Sequence, residues 1–380
     1  MNTRDPRPLI AHLVFRFDIG GLENGVVNLV NGLPESEFRH AVIALTEATD
    51  FRRRIARDDV PVHEIGKRPG KDPGAYLRLY RLLRELQPDI VHTRNLGTLE
   101  CALVAALARV AFRIHGEHGW DVHDPDGNIL KYKISRRMFN PFIQQFVTVS
   151  RDLRDWLVAR VGIPARKVLC ICNGVDTRRF WPAVISPSFV SDIVLIGSVT
   201  RFEEIKDPLN LVRAFVAARR RLVSRGMNLR LLMPGDGPLR AEAMALLESE
   251  GASAASSLPG SRSDLPELLR TMNVFVLGSR REGISNTILE AMATGLPVIA
   301  SATGGNLELV VPGVTGTLVP PGDTSALGEA IVAYAMDAEL RARHGRAARI
   351  RAEQEYSLSR MLEDYRRLYA SCGAARGVAA

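Results

Sequence analysis

The sequence predicts two consecutive α/β domains, each a parallel sheet wound with helices on both faces. Three observations carry this. Apolar runs of strand length alternate with helical patterns along almost the whole chain, the arrangement that parallel sheets with crossover helices require. The length, 380 residues, is long for one core and comfortable for two. Between the two series, the stretch Thr177 to Ser191 holds Pro182, Pro187 and three serines and shows no clear period.

In the first half, Leu9 to Phe15, Ala41 to Leu45, Ile90 to His92, a segment near Ile114, Phe146 to Val149 and Val168 to Cys172 read as strands. Helical patterns at Ala75 to Leu86 and Asp152 to Val161 lie between them. The second half repeats the theme with strands at Ile193 to Ile196, Leu229 to Met233, Val274 to Leu277 and Val298 to Ala300. Its helices lie near Asn210 to Ser224, Leu239 to Glu250 and Leu265 to Thr271. The expected domains are therefore residues 1–180 and 192–354, joined by a linker at 181–191. Residues 355–372 form a terminal helix with Leu362, Tyr365, Leu368 and Tyr369 on one stripe, free to pack on either domain, and 373–380 a flexible tail.

Composition narrows the class. An apolar content of 46% with 24% charged residues is that of a soluble globular protein. The most apolar region, Leu96 to Phe112, is interrupted by Glu100 and Arg109 and does not match a membrane span. The N-terminus lacks an export pattern, so the expected location is cytoplasmic. Cys101, Cys170, Cys172 and Cys372 fit a reducing compartment without disulfides, and no second Cys/His pair completes a metal site around Cys170 and Cys172. The charge is uneven: residues 1–180 hold 28 Lys and Arg against 21 Asp and Glu, and the remainder 22 against 21. A basic first half suits an anionic membrane surface or a phosphorylated substrate. Nucleic acid comes last, because clusters such as Arg52 to Arg54 and Arg136-Arg137 lack interleaved aromatics and are most simply solvated faces.

The densest chemistry lies in Arg281-Glu-Gly-Ile-Ser-Asn-Thr-Ile-Leu-Glu290. Ser285 is a ready N-cap, Ile288, Leu289 and Met292 give a helical apolar stripe, and Gly295 with Pro297 ends the helix. Glu282 and Glu290 are too far apart for a shared-proton dyad, about 12 Å on a continuous helix. They suit opposite ends of one extended ligand whose phosphates rest on the helix N-terminus. By itself, such a pair of acids more often serves the helix dipole.

In open parallel sheets, ligands bind beyond the carboxyl ends of strands. After the first strand come Gly20 and Gly21, with Glu23 and Asn24; the glycine pair alone is equally a plain turn. Later strands are followed by Arg94-Asn95 and by Gly116-Glu117-His118-Gly119-Trp120-Asp121, where His118 sits in crevice-like surroundings. In the second half, Arg201 and Lys206 are a planar fork and a point cation able to neutralise a diphosphate. Pro234-Gly235-Asp-Gly237 makes a tight turn, and Gly304-Gly305-Asn306-Leu-Glu308 follows the last of these strands.

Together these segments resemble the retaining glycosyltransferases of family four, the group-one class, which implies two Rossmann-like domains facing across a cleft, the GT-B architecture. The wording Arg16 to Asn24, His92 to Asn95 and His115 to Asp121 is similar to the sugar transferases of bacterial exosortase and PEP-CTERM exopolysaccharide systems. The resemblance implies that Glu290 binds the nucleotide ribose and Glu282 the donor sugar, with Gly283, Ile284, Ser285, Asn286 and Thr287 nearby. It also implies that Arg201 and Lys206 stabilise the leaving diphosphate, that Gly20, Gly21 and Gly235 approach the donor, and that His118 lies near the anomeric carbon. Asn24, Arg94, Asn95, Trp120 and Asp121 fall on the acceptor side. Ile284 and Ser285 replace an aromatic and a proline common in the family, so donor identity does not carry over.

The expected reaction is transfer of a sugar from a nucleotide diphosphate-sugar to a glycan or lipid-linked acceptor, without metal, because no Asp-x-Asp pair stands at a strand end. No cofactor beyond the nucleotide-sugar substrate is expected. A nucleotide-sugar epimerase is the alternative on the same fold. A nicotinamide-dependent oxidoreductase fits less well, since Gly20-Gly21 replaces Gly-x-Gly-x-x-Gly.

Overall fold

The computed structural model describes residues 5–120, 124, 126–183 and 193–374. It contains two compact units. One holds the chain up to Asn173 together with the residues from Ser359 onward; the other is Gly174–Leu358.

In the first unit, β1 (Leu9–Val14), β2 (Arg39–Ala44), β3 (Val62–Glu64), β4 (Ile90–Arg94), β5 (Phe112–Glu117), β6 (Gln145–Thr148) and β7 (Val168–Cys170) pair in parallel in the order β3-β2-β1-β4-β5-β6-β7. The second unit's sheet comprises β8 (Ile193–Gly197), β9 (Asn228–Leu232), β10 (Ser256–Ser257), β11 (Val274–Leu277), β12 (Val298–Ser301) and β13 (Gly316–Val319). Its order is β10-β9-β8-β11-β12-β13. Both are doubly wound sheets, as the alternation predicts. In each, the order reverses beside the first strand, between β1 and β4 and between β8 and β11, which opens a crevice at the carboxyl ends of those strands.

Apolar faces explain the layers. Helix Gly21–Gly32 puts Val26, Val27 and Val30 against Val14, Val42 and Ala44 on one face of the first sheet. Helices Pro73–Leu86 and Cys101–Leu107 cover Leu13, Ile43 and Val91 on the other. In the second unit, helix Pro208–Val223 buries Leu211, Val212 and Phe215 on the strands, backed by helix Thr324–Met336.

Two boundaries differ from the sequence reading, and the partner it left open for the last helix is settled. The units divide at Asn173, ahead of residue 180, because Arg349 donates to the carbonyls of Phe180 (2.7 Å) and Thr177 (3.2 Å), and Val175 and Leu358 exchange backbone bonds with Tyr356 and Val175. Residues 174–183 therefore belong with the second unit. The last helix, Leu358–Ala374, has a definite partner, the first unit: Leu362 packs on Gly32, and Arg366 pairs with Glu37 at 2.7 Å. That helix also runs through Gly373, placed in the tail by sequence; residues 375–380, like 184–191 of the expected linker, lie outside the described residues.

Under that helix the first sheet buries a polar cluster. Arg94 is 2% exposed, and its guanidinium donates to His12 Nδ1 (3.0 Å) and to the His92 carbonyl (3.1 Å). Because arginine only donates, His12 accepts at Nδ1 and passes its Nε2 proton toward His40 Nδ1, 2.9 Å away. Tyr369 of the last helix meets His92 Nδ1 at 2.8 Å. Burial, then the charge of Arg94, holds His12 and His92 well below the usual histidine range; burial and Arg57 bring His40 down to about 3.

The opposite face carries a second buried pair. Glu117 accepts from Arg136 Nε (2.6 Å) and Nη2 (3.0 Å), so Arg136 is not part of a solvated cluster. Burial opposes the Glu117 charge, but Arg136 and His115 outweigh it and keep the carboxyl well below its usual range.

Two outcomes follow. Arg136→Ala leaves a buried, uncompensated carboxylate and lowers unfolding stability by about 3–5 kcal/mol in urea titration. The unfolded chain protonates its histidines near pH 6.5 while the folded one holds His40 neutral to about 3, so stability is full above that window and falls on acidification through it. Thermal melts across the window check this, and His40→Gln makes the decline shallower.

Candidate functional site

At the reversal point of the second sheet, the loops after β8 and β11 are stitched together. Lys206, at the end of the 3₁₀ turn Glu204–Lys206, places Nζ 2.6 Å from Oε1 of Glu282. Ser279 donates to the same oxygen at 2.7 Å. The Arg280 N–H donates to the Ile205 carbonyl (2.9 Å), and its guanidinium pairs with Asp207 at 3.2 Å. Glu282 is buried, so its charge is offset by fixed partners rather than by water.

Glycines bring neighbouring loops close enough for this. Gly304, at φ 50°, lies so near the Glu282 carbonyl oxygen that a Cβ would overlap it, and Gly305 lies likewise against Gly283. On the other side Gly235, at φ 140°, crowds the Thr200 carbonyl, while a Cβ on Gly237 would sit 2.7 Å from that of Phe202. The backbones after β8 and β9, and after β11 and β12, thus nest pairwise.

Helix Asn286–Ala293 starts in this floor. Ser285 caps it, accepting from the Ile288 N–H at 3.2 Å and touching Thr287 Oγ1 at 3.1 Å. Ile288, Leu289 and Met292 bury its inner side. Its N-terminal turn sets backbone donors and a positive dipole end beside the Lys206–Glu282 pair, an arrangement that receives anions. Glu290 is half-buried in the second turn, on a different segment from Glu282. Ile284 lies buried in the loop between. Arg201 has a side chain 65% exposed and pairs with Glu203 at 3.0 Å, apart from the Lys206–Glu282 bond.

The first unit's reversal point joins other candidates. Gly20 caps helix Gly21–Gly32 with Glu23 folded back against it, and the Asn24 N–H donates to the Gly20 carbonyl at 2.9 Å. Asn24 Oδ1 is buried without a hydrogen-bond partner among the described residues. After β4, Asn95 adopts φ 55° and its Oδ1 accepts the backbone N–H of His118 at 2.7 Å. The His118 ring rests on Gly116, with Nε2 buried and unpartnered among the described residues. Burial and then Arg94 press His118 down to about 3, so its imidazole is neutral.

Two acceptor-side candidates have their side chains engaged within the unit. Strand alternation turns Arg94 inward with His92, into the buried cluster, so its side chain acts on the sheet rather than on a ligand. Trp120 packs edge-on against Trp156 at 5.2 Å and covers Gly127. Asp121 lies outside the described residues. Conversely, the sequence reading omitted Ser279 and Asp207. Ser279 works through Glu282, three residues along its own loop, and Asp207 through Arg280 on another loop.

Comparison with known proteins agrees with this geometry. Residues 19–179 match the family described as Glycosyltransferase Family 4, and residues 191–337 the family described as Glycosyl transferases group 1. The Staphylococcus aureus capsular polysaccharide biosynthesis glycosyltransferase CapM is 31% identical over 330 residues, covering 78% of this chain and 80% of CapM. An Escherichia coli UDP-Gal:α-D-GlcNAc-diphosphoundecaprenol α-1,3-galactosyltransferase is 28% identical over 275 residues, 69% of this chain and 70% of the enzyme. Among solved structures, Anabaena HepE in complex with UDP and glucose superposes with a TM-score of 0.81 at 19% identity, covering 96% of this chain and all of that one. Neither matched family describes an epimerase or an oxidoreductase. The fold, the two family matches and the relationship to CapM together show that the chain belongs to the group 1 glycosyltransferases, built on the GT-B architecture.

Proposed function

We propose that the protein transfers a sugar from a nucleoside diphosphate-sugar to a glycan or lipid-linked acceptor, with retention at the anomeric carbon, in the assembly of a cell-surface polysaccharide. The observation that carries this is the Lys206–Glu282 pair held across the reversal point, beside a capped helix N-terminus. As the glycosidic bond breaks, charge develops on the departing diphosphate. Lys206, Arg201 and the helix N-terminus at Ser285 meet it with fixed positive potential. The bonds from Ser279 and Lys206 converge on Glu282 Oε1, which leaves Oε2 to accept a sugar hydroxyl. Glu290 takes the ribose hydroxyls, Gly20 and Gly21 approach the donor, and His118, neutral, lies by the anomeric carbon with Asn95 fixing its backbone.

Support for the substrate class comes from relatives: the E. coli enzyme uses UDP-galactose on a diphosphoundecaprenol-linked sugar, and HepE was solved with UDP and glucose. UDP-sugars are accordingly the first donors to screen. The segments Arg16 to Asn24 and His115 to Asp121 favour exopolysaccharide systems of the exosortase type. The basic excess of residues 1–180 favours work at the inner face of the cytoplasmic membrane. Among the described residues no helix is long and apolar enough to cross a membrane.

Three outcomes test the reading. A screened UDP-sugar that binds only the native state raises the melting temperature, and Glu290→Ala loses most of that rise. Lys206→Ala lowers kcat by about 10²–10³-fold, the effect of removing one fixed donor to a developing anion. Turnover is unchanged by EDTA; abolition by chelator with recovery on Mg²⁺ sinks the metal-independent mechanism.

A further inference from the structure

Helix Leu130–Phe139 of the first unit inverts the usual surface pattern. At 100° per residue, Leu130, Ile134 and Met138 form one stripe about 80° wide. That stripe faces outward: the three are 62%, 49% and 58% exposed. The inner side is held by Arg136, through Glu117 and by stacking over Trp156 at 4.9 Å. The orientation of the helix is therefore fixed by a buried ion pair, and its apolar stripe is not misplaced core.

Cations flank the stripe on both sides. Lys131 lies on one edge, Lys133 and Arg137 on the other. Arg137 also donates to the Val161 carbonyl, so the two lysines are the less committed charges. From Gly127 to Arg151 the sequence holds no Asp or Glu at all. The nearby carboxylates Glu117 and Asp124 are committed inward, Glu117 to Arg136 and Asp124 to the backbone N–H groups of Asn128 and Ile129. An outward apolar stripe bordered by lysine and arginine, on a helix that itself carries no acid, is the composition of a helix that lies in the headgroup region of an anionic bilayer.

We propose that helix Leu130–Phe139 is the surface by which this protein docks on an anionic phospholipid membrane, the stripe entering the headgroup–acyl boundary and the flanking cations meeting lipid phosphates. This rests on, and localises, the membrane contact in the proposed function. A second copy of the chain is the poorer occupant, since twofold pairing would set like-charged flanks against one another.

The test is co-sedimentation of the full chain at low salt with vesicles of phosphatidylcholine, with and without phosphatidylglycerol. The parent binds the phosphatidylglycerol vesicles and not the neutral ones. Ile134→Glu with Met138→Glu, and separately Lys131→Glu with Lys133→Glu, weaken partitioning by about tenfold or more. Arg52→Glu with Arg53→Glu, exposed cations elsewhere in the unit, has far less effect. An Ile134→Ser, Met138→Ser variant guards against misfolding and gives the same direction with a parental melting temperature. If the parent binds but both helix variants bind equally well, the helix assignment fails and the membrane reading stands. Failure of the parent to bind overturns both, and leaves the donor-site reading to its own melting test. Equal binding to neutral vesicles, or a parent dimer that the glutamate variant converts to monomer, also overturns the lipid assignment.

Discussion

The reversal-point edge of the second unit, where we propose the donor binds, depends on one interaction, the 2.6 Å pair between Lys206 and the buried Glu282. Neither residue lies on a regular strand or a long helix, so each could wander if its loop did. What prevents this is backbone proximity. The Arg280 N–H bond to the Ile205 carbonyl ties the two loops, and glycines at 304, 305, 235 and 237 let the adjoining loops close without side chains between them. A buried carboxylate beside an ammonium is costly to assemble if its partners must be ordered afresh. Here folding orders them in advance, which is the condition for stabilising charge that appears only during reaction.

The first unit reaches rigidity differently. Its reversal-point loops are set by side chains: Asn95 holds the backbone of His118, and the sheet beneath is braced by Arg94, His12, His40 and His92. The chain then returns from the second unit to cover this cluster with Tyr365 and Tyr369, so the last helix completes the interior of the unit in which the chain began. A fully buried guanidinium among neutral imidazoles persists because its two Nη atoms find acceptors in His12 and the His92 carbonyl, and because burial keeps the rings uncharged, although Nε has no partner among the described residues.

Much of this was legible in the sequence. Alternating strand and helix patterns foretell both sheets, and Ser285 with Ile288, Leu289 and Met292 foretells the capped helix that carries Glu290. What escaped has physical reasons. Strands β3, β10 and β13 are two to four residues long, with too little apolar pattern to stand out. Arg94 reads as a strand-end cation, yet the two-residue period that buries His92 buries Arg94 as well. Arg136 beside Arg137 looks solvated until Glu117, nineteen positions away, is seen to claim it. For Arg136 the deciding partner lies on another element, and local sequence does not encode it.

The two modes of rigidity suit two different tasks. A nucleoside diphosphate offers the same phosphates and ribose whatever sugar it carries, so a floor built from glycine-spaced backbone and a helix N-terminus can be fixed once. In the proposed function Glu282 is then the group that matches a particular hydroxyl. Acceptors vary in size and linkage, and the first unit, the acceptor side in the proposed function, has loops positioned by single side chains, where one substitution can reshape the edge without disturbing the sheet. In the proposed function, specificity for the sugar is concentrated around Glu282 and Ile284, whereas specificity for the acceptor is spread over the loops that follow β1, β4 and β5. The basic helix Leu130–Phe139 belongs to that same unit, the one whose excess positive charge the sequence already displays. On these proposals, membrane contact and acceptor loops share one folded unit, so that an amphiphilic acceptor is met at the lipid surface, while the donor binds a unit with no such electrostatic commitment.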